Sequence, residues 1–352
     1  MTASDDKEPS TAGWDAINAA LAKVYGQGEP PYHYGTVLPA ALGGKDPLQG
    51  ISVYQRDAPV PHWHYITYGF SELYDKESED PEVSGFGFEM TFRLALYEEE
   101  PPRWALNLLQ NLARYVFRSG NPFDAGHYLD CQGPIALGQA TDVRAIVFAP
   151  DPELGEIETP NGKLRFLQVV GITLDELRQI KKWNAEGFLE VLVRQIPLLI
   201  TDLGRTSVLS SEAIRQEVDE QSGREGSSTS ILYVGEAHFA GQERNKVRVV
   251  LGANGVRELK DVLPARLQFA QPLTVASSKG YVVFNPGAEV GWRELEKGAL
   301  EVTLSLELAG RLADLLQPRT GDYVLANFPN LVFEVRQSEI KDQDGNVVEV
   351  IG

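Results

Sequence analysis

The ten residues Gly85-Phe-Gly-Phe-Glu-Met-Thr-Phe-Arg-Leu94 place Phe86, Phe88, Met90, Phe92 and Leu94 at every second position. A period of two is that of a β-strand, so one face of this stretch is apolar and the other carries Gly87, Glu89, Thr91 and Arg93. Just upstream, His62-Trp-His-Tyr-Ile-Thr-Tyr68 reads as another strand, separated from the first by an acidic loop over residues 71–84 that contains Pro81. Histidine and aromatic density of this kind also invites a metal or catalytic reading. His62 and His64 are two apart, so on a strand they share a face and could donate two ligands to a metal.

The surrounding pattern is mixed. Trp14, Ile17, Leu21 and Val24 recur at helical spacing and predict a helix over 13–25; Pro30-Pro31 breaks it. Residues 51–54 alternate like a strand. Leu108, Leu112, Tyr115 and Val116 form one stripe of a helix over 104–118, stopped by Gly120-Asn-Pro122. Residues 143–148 and 164–170 read as buried strands. Thr173-Leu-Asp-Glu176 has the capping-box pattern of a helix that runs to about Trp183, with a second short helix over 188–194. Residues 204–230 are rich in Ser, Glu, Gln and Gly and are expected to form a linker. Beyond them, strands are predicted at 231–234, 247–251, 262–269, 273–275, 281–284 and 300–306. A helix follows over 307–316, and strands return over 323–335 with a break at 327–330. The expected layout is a disordered tail over 1–10, an N-terminal domain over 11–205, a linker over 206–230 and a strand-rich C-terminal domain over 231–352. The class is α+β.

Composition narrows the function. The chain has 352 residues, enough for about two domains of roughly 150 residues. Its uncharged apolar runs, such as Ile196-Pro-Leu-Leu-Ile200, are far short of the roughly 20 residues of a membrane helix. With 32 basic against 50 acidic residues the net charge is −18, which repels phosphate backbones and anionic lipid; neither nucleic acid nor membrane is an expected partner. Ten of the acidic residues lie between Glu72 and Glu100, against only Lys76 and Arg93, a surface suited to a basic partner. The polar N-terminus has the opposite of the basic-then-apolar order of a secretory signal, and the single Cys131 cannot form an internal disulfide, so a cytoplasmic location is expected. His127 is the only nearby base for that thiol, which is read as incidental.

Chemical motifs are sparse. Gly85-Phe-Gly lies inside an alternating strand and lacks the Gly, Lys or Ser/Thr that would complete a phosphate loop. No Gly-x-Ser-x-Gly elbow, His-Glu-x-x-His helix or Cys-x-x-Cys pair occurs. His33, His127 and His238 lack ligand spacing to His62 and His64, so a metal site would need a carboxylate such as Glu89 or Asp57 to approach in space. No cofactor is expected.

The words Gly43-Gly-Lys-Asp-Pro-Leu48, His62-Trp-His-Tyr-Ile66, Gly69-Phe-Ser-Glu-Leu-Tyr74, Ser84-Gly-Phe-Gly-Phe-Glu-Met-Thr-Phe-Arg-Leu94 and Leu112-Ala-Arg-Tyr-Val-Phe117 resemble, in order and spacing, the suppressor-of-fused family. The similarity continues through Thr159-Pro-Asn-Gly162, Phe166-Leu-Gln-Val-Val-Gly171, Trp183-Asn184 and Leu199-Ile-Thr-Asp202, and covers about residues 35–205. It is looser over Leu304–Leu316 and Pro329-Asn-Leu-Val-Phe333. The resemblance implies an N-terminal domain with a mixed sheet and flanking helices, and a smaller α+β C-terminal domain. It implies no catalysis. Animal members sequester Gli transcription factors, clamping a short peptide between their two domains as an added β-strand. The resemblance maps the groove onto Leu42, Tyr115 and Phe123. Two positions depart: Ala41 stands where the family has Trp, and His127 where it has the Asp that grips the peptide's histidine, removing a charge-assisted hydrogen bond. The short linker near Gly223 replaces a long insertion, as in a bacterial member, for which the family context implies immunity proteins that neutralise toxins. The expected partner is a protein or peptide, a basic one by charge, bound in a cleft between the two domains by strand addition; the alternatives are Gli-type sequestration and a metal-dependent enzyme or metal-binding protein centred on His62 and His64.

Overall fold

The computed structural model describes residues 10–36, 43–243, 246–341 and 346–352. Tertiary contacts divide the chain into two units, Met1–Thr173 with Leu192–Thr206, and Leu174–Val191 with Ser207–Gly352. The expected tail lies almost wholly outside the described residues.

In the first unit, helix α1 (Ala12–Tyr25) precedes β1 (Tyr32–Gly35), β2 (Gly50–Arg56), β3 (His62–Tyr68) and β4 (Val83–Ala95). Helix α2 (Arg103–Ser119) follows, then β5 (Tyr128–Asp130), β6 (Val143–Pro150), β7 (Glu156–Thr159) and β8 (Gly162–Thr173). The strands form one sheet in the order β1-β2-β3-β4-β8-β6-β5, with β7 on β8. Pairing is antiparallel except between β4 and β8, which run parallel, so the sheet is mixed as expected.

The alternation in β4 does what its period demands. Phe88, Met90, Phe92 and Leu94 join Trp63 and Tyr65 of β3 against Leu109, Leu112, Ala113 and Val116 of α2. Helix α2 ends where Gly120 adopts a left-handed conformation (φ 71°) and its N–H caps the Val116 carbonyl. The opposite face is covered too: Ile66 and Tyr68 of β3 pack with Phe166 of β8 on Ile17, Ala20 and Leu21 of α1. With both faces covered, every residue of β3 is buried. Residues Leu192–Thr206 return to this sheet, where Thr201 bridges Leu94 and exchanges main-chain hydrogen bonds with Arg93 and Ala95 at 2.8 and 2.9 Å.

The second unit contains α3 (Leu174–Lys182), most of α4 (Ala185–Gln195), α5 (Glu212–Glu225), β9 (Ile231–Tyr233), β10 (Ala237–Glu243), β11 (Lys246–Gly252) and α6 (Ala253–Leu267). There follow β12 (Leu273–Ser277), β13 (Gly280–Pro286), β14 (Gly291–Glu296), β15 (Ala299–Leu304), α7 (Leu306–Leu315), β16 (Gly321–Val324), β17 (Leu331–Arg336), β18 (Ser338–Lys341) and β19 (Val347–Ile351). Two sheets, β10-β11-β17-β16 and β14-β15-β13-β12-β9, share one core with α6 and α7, centred on residues such as Leu263, Phe284, Leu312 and Phe333; β18 and β19 form a hairpin.

Two local expectations are corrected here. The strand expected over 262–269 is the end of helix α6. Val256, Leu259, Val262, Leu263 and Leu267 are buried at helical spacing, a stripe that begins before residue 262, and Pro264 sits in the helix's last turn. The expected linker contains α5, a helix that buries only Val218 and Ser222 and so shows almost no apolar stripe. Good helix formers and the pairs Arg215–Glu212 and Arg224–Glu220 support it instead. At its end Glu225 accepts the Trp183 indole N–H at 2.7 Å, and Gly226 turns the chain at φ 74°, where a Cβ would lie 2.2 Å from the Phe269 ring.

Candidate functional site

In the antiparallel register His64 of β3 lies opposite Arg93 of β4. Arg93 is fully buried and grips Asp151, just after β6, with two nitrogens at 2.6 and 3.2 Å. It also donates to Glu153 at 2.9 Å and to Gln168. Asp151 accepts in addition the Thr91 hydroxyl at 2.7 Å and the Glu153 and Leu154 N–H groups at 2.9 Å. His64 Nε2 lies 3.3 Å from Asp151, and its Nδ1 is bonded to the Tyr25 hydroxyl. Burial and then Arg93 push the His64 imidazolium down to about 4 against the pull of Asp151, so the ring is neutral at pH 7. Burial alone would raise the Asp151 carboxyl; His64 beside it, and then the bidentate Arg93, keep it well below the usual range.

This is a structural cluster built on the paired Arg93 and Asp151 charges, in which His62 Nε2, His64 Nε2 and Arg93 Nε have no hydrogen-bond partner among the described residues. His62 is also buried; its Nδ1 donates to the Val60 carbonyl at 2.6 Å, and burial lowers its pKa. Glu89, a candidate third ligand, is buried and accepts the Ser71 hydroxyl (2.6 Å), the Thr67 hydroxyl (2.7 Å) and the Gly69 and Ser71 N–H groups (2.9 and 3.0 Å). Burial pushes its pKa up against these four donors. Among the described residues no group of three or more His, Cys, Asp or Glu could hold a metal ion. Cys131 is half-buried, and burial with Asp130 pushes its thiol up to about 12, far from a nucleophile's range. His127 does not activate it: the ring's Nδ1 accepts the Asp124 N–H at 3.1 Å.

The groove residues expected from the family resemblance lie elsewhere. Leu42, with Ala41, lies outside the described residues. Tyr115 stands on α2, 49% exposed, and stacks on Phe123 at 5.3 Å. Phe123 is buried and stacks in turn on Phe148 of β6 at 4.3 Å. The three rings form a ladder from core to surface, so the outermost one is fixed without being covered. His127 is exposed at the turn leading into β5, and its carbonyl accepts the Phe148 N–H at 2.9 Å. The ladder and His127 therefore share Phe148 as their support. Three residues before His127, the Asp124 carboxylate pairs with Arg165 at 2.8 Å. Strand β5, which His127 precedes, is the outermost strand on its side of the sheet. Sequence reasoning missed β5, because three residues show no period, and missed Phe148, whose role depends on a contact 25 residues distant in sequence.

Comparison with known proteins gives a consistent answer. The model of the family "Suppressor of fused protein (SUFU)" matches residues 44–206. The suppressor of fused homologs of Homo sapiens and Mus musculus are each 35% identical to this chain over 239 residues, 62% of this chain and 49% of the relative. The chain thus spans about half the length of these curated relatives. The crystal structure of Drosophila suppressor of fused shares the fold, with a TM-score of 0.73, 22% identity, and coverage of 94% of this chain and 99% of that one. The structure of a Sufu–Fu complex matches at 33% identity with a TM-score of 0.56, over 60% of this chain and 97% of that one.

Proposed function

Because this chain belongs to the suppressor of fused family, we propose that it is a non-enzymatic module that sequesters a protein partner, taking a segment of it as an added strand along β5 with Tyr115 and His127 at the rim. The observation that carries this reading is the ladder Phe148–Phe123–Tyr115, which presents a rigid aromatic ring close to an outermost strand. An aromatic held in place loses little freedom on binding, and a strand edge supplies main-chain affinity that side chains then sharpen. The Sufu–Fu complex is a relative bound to a protein, in keeping with this role. His127 in place of the aspartate expected from the resemblance argues for a ligand other than the Gli peptide.

A net charge of −18 favours a basic partner, and a lone unactivated cysteine suits the cytoplasm. Neutralisation of a basic toxin, the immunity role, fits these properties. The test is capture from the native host by wild type, Tyr115→Ala, His127→Ala and Tyr97→Ala, the last an exposed aromatic apart from the ladder. A partner retained by wild type and Tyr97→Ala but lost by the other two supports the reading. If every partner survives both Tyr115→Ala and His127→Ala, the reading fails.

A further inference from the structure

Helix α2 exposes a second aromatic. Phe117 is two residues beyond Tyr115, about 200° around a helix of 3.6 residues per turn, and 43% exposed. It meets Phe86 edge-on at 5.1 Å and Phe70 at 5.9 Å. These three rings lie in a cavity of about 490 Å³ whose other wall is the loop from Ser71 to Ser78, with Tyr74 40% exposed. Gly85 lets the wall close in: its φ is +57°, and a Cβ there would lie 2.6 Å from the Phe70 carbonyl oxygen.

Three carboxylates line the cavity and no basic residue does. Glu72 is engaged, accepting Lys76 Nζ and the Glu77 N–H, each at 2.8 Å. Asp75 and Glu77 are exposed, and their carboxylates form no ion pair among the described residues. Ring faces and carboxylates attract the same ligand, a cation that can lie flat. Guanidinium meets that need better than ammonium, because it is planar, stacks on rings and is less strongly hydrated. An anionic group is disfavoured, since the one nearby ammonium, Lys76, is already bonded to Glu72, Ser78 and the Val83 carbonyl.

We infer that this cavity is a second recognition site, taking an arginine side chain of a protein partner over Phe86 and Phe117 with its charge against Asp75 and Glu77. The inference rests on the proposed binding role only in making the ligand part of a protein; its residues are distinct from the Tyr115 ladder.

The full chain is labelled with para-fluorophenylalanine, and the Phe86 and Phe117 fluorine resonances are assigned by their loss in Phe86→Leu and Phe117→Leu. Titration then compares N-acetylarginine methylamide with its uncharged isostere, N-acetylcitrulline methylamide. The arginine compound is expected to shift these two resonances selectively and the citrulline compound to leave them in place. The double variant Asp75→Asn/Glu77→Gln should weaken arginine binding by about three- to tenfold. No shift, an equal response to citrulline, a uniform shift of all phenylalanine resonances, or unchanged affinity in the double variant would each overturn the inference. Tyr115→Ala is expected to leave the titration unaltered, so failure at the β5 edge and failure here are separately visible.

Discussion

The two units place opposite charges in opposite settings. In the first, Arg93 and Asp151 meet with no exposure at all, backed by His64, Thr91 and Gln168. In the second, Arg248 reaches Asp322 and Glu334 at 2.8 and 2.9 Å on a strand surface open to water. The distances are nearly the same, yet the consequences differ. A buried ion has lost its hydration and depends on its partner; an exposed ion has water as an alternative. A distance therefore says little about energy until burial is known.

The sharpest way to break this comparison is to remove one buried partner. Asp151→Ala takes the bidentate partner from buried Arg93, leaving it Glu153 and Gln168, and is expected to cost the first unit about 3 kcal/mol, read by urea unfolding. A loss under 1 kcal/mol would mean that water reaches the cluster. Acidification is the next test. His64 has its folded pKa lowered to about 4, so between the ordinary value near 6.5 and that value the unfolded chain binds more protons. Stability is therefore full above pH 6.5 and falls as pH drops towards 4, by about 3 kcal/mol at most. His64→Gln should flatten this slope in unfolding measured at pH 7 and pH 5. Asp151 adds a loss in the same direction at lower pH still.

Ser71→Ala probes the neighbouring carboxylate, taking one of four donors from Glu89, and is expected to cost about 1–3 kcal/mol by thermal unfolding. Arg248→Ala tests the other half of the comparison. Its expected effect is below about 1 kcal/mol and shrinks in high salt; an effect as large as that of Asp151→Ala would erase the distinction. Smallest of all is Tyr115→Ala, expected to change stability by about 0.5 kcal/mol or less while abolishing partner capture. That would separate binding from stability within a single helix.

What could be read from sequence follows the same division between local and distant causes. The strands β3 and β4 and helix α2 were legible because their periodic apolar residues sit within one element. The buried cluster was not, since Arg93 and Asp151 are 58 residues apart and only the fold brings them together. His62 and His64 could be placed on one face, but the helix that seals that face, α1, is announced nowhere near them. Helix α5 escaped because its surface charges hide the Val218 contact, and α6 because the stretch 262–269 holds only the end of an apolar stripe that begins near Val256. Of the groove, Tyr115 was found through family resemblance; the ladder beneath it required Phe148.

The return of Leu192–Thr206 to the first sheet has a consequence for synthesis. A nascent chain emerging through β8 still lacks the residues around Thr201 that seal the end of β4, so the first unit is completed only once Thr206 has cleared the ribosome. By then α3, whose Leu177 and Ile180 are buried in the finished protein, is already made, yet the helix it packs against in the second unit, α6, is not. At ordinary translation speeds the interval from Ile180 to Leu267 lasts on the order of 5–20 s. Throughout it α3 lacks the helix it packs against, a natural point for a chaperone to hold the chain.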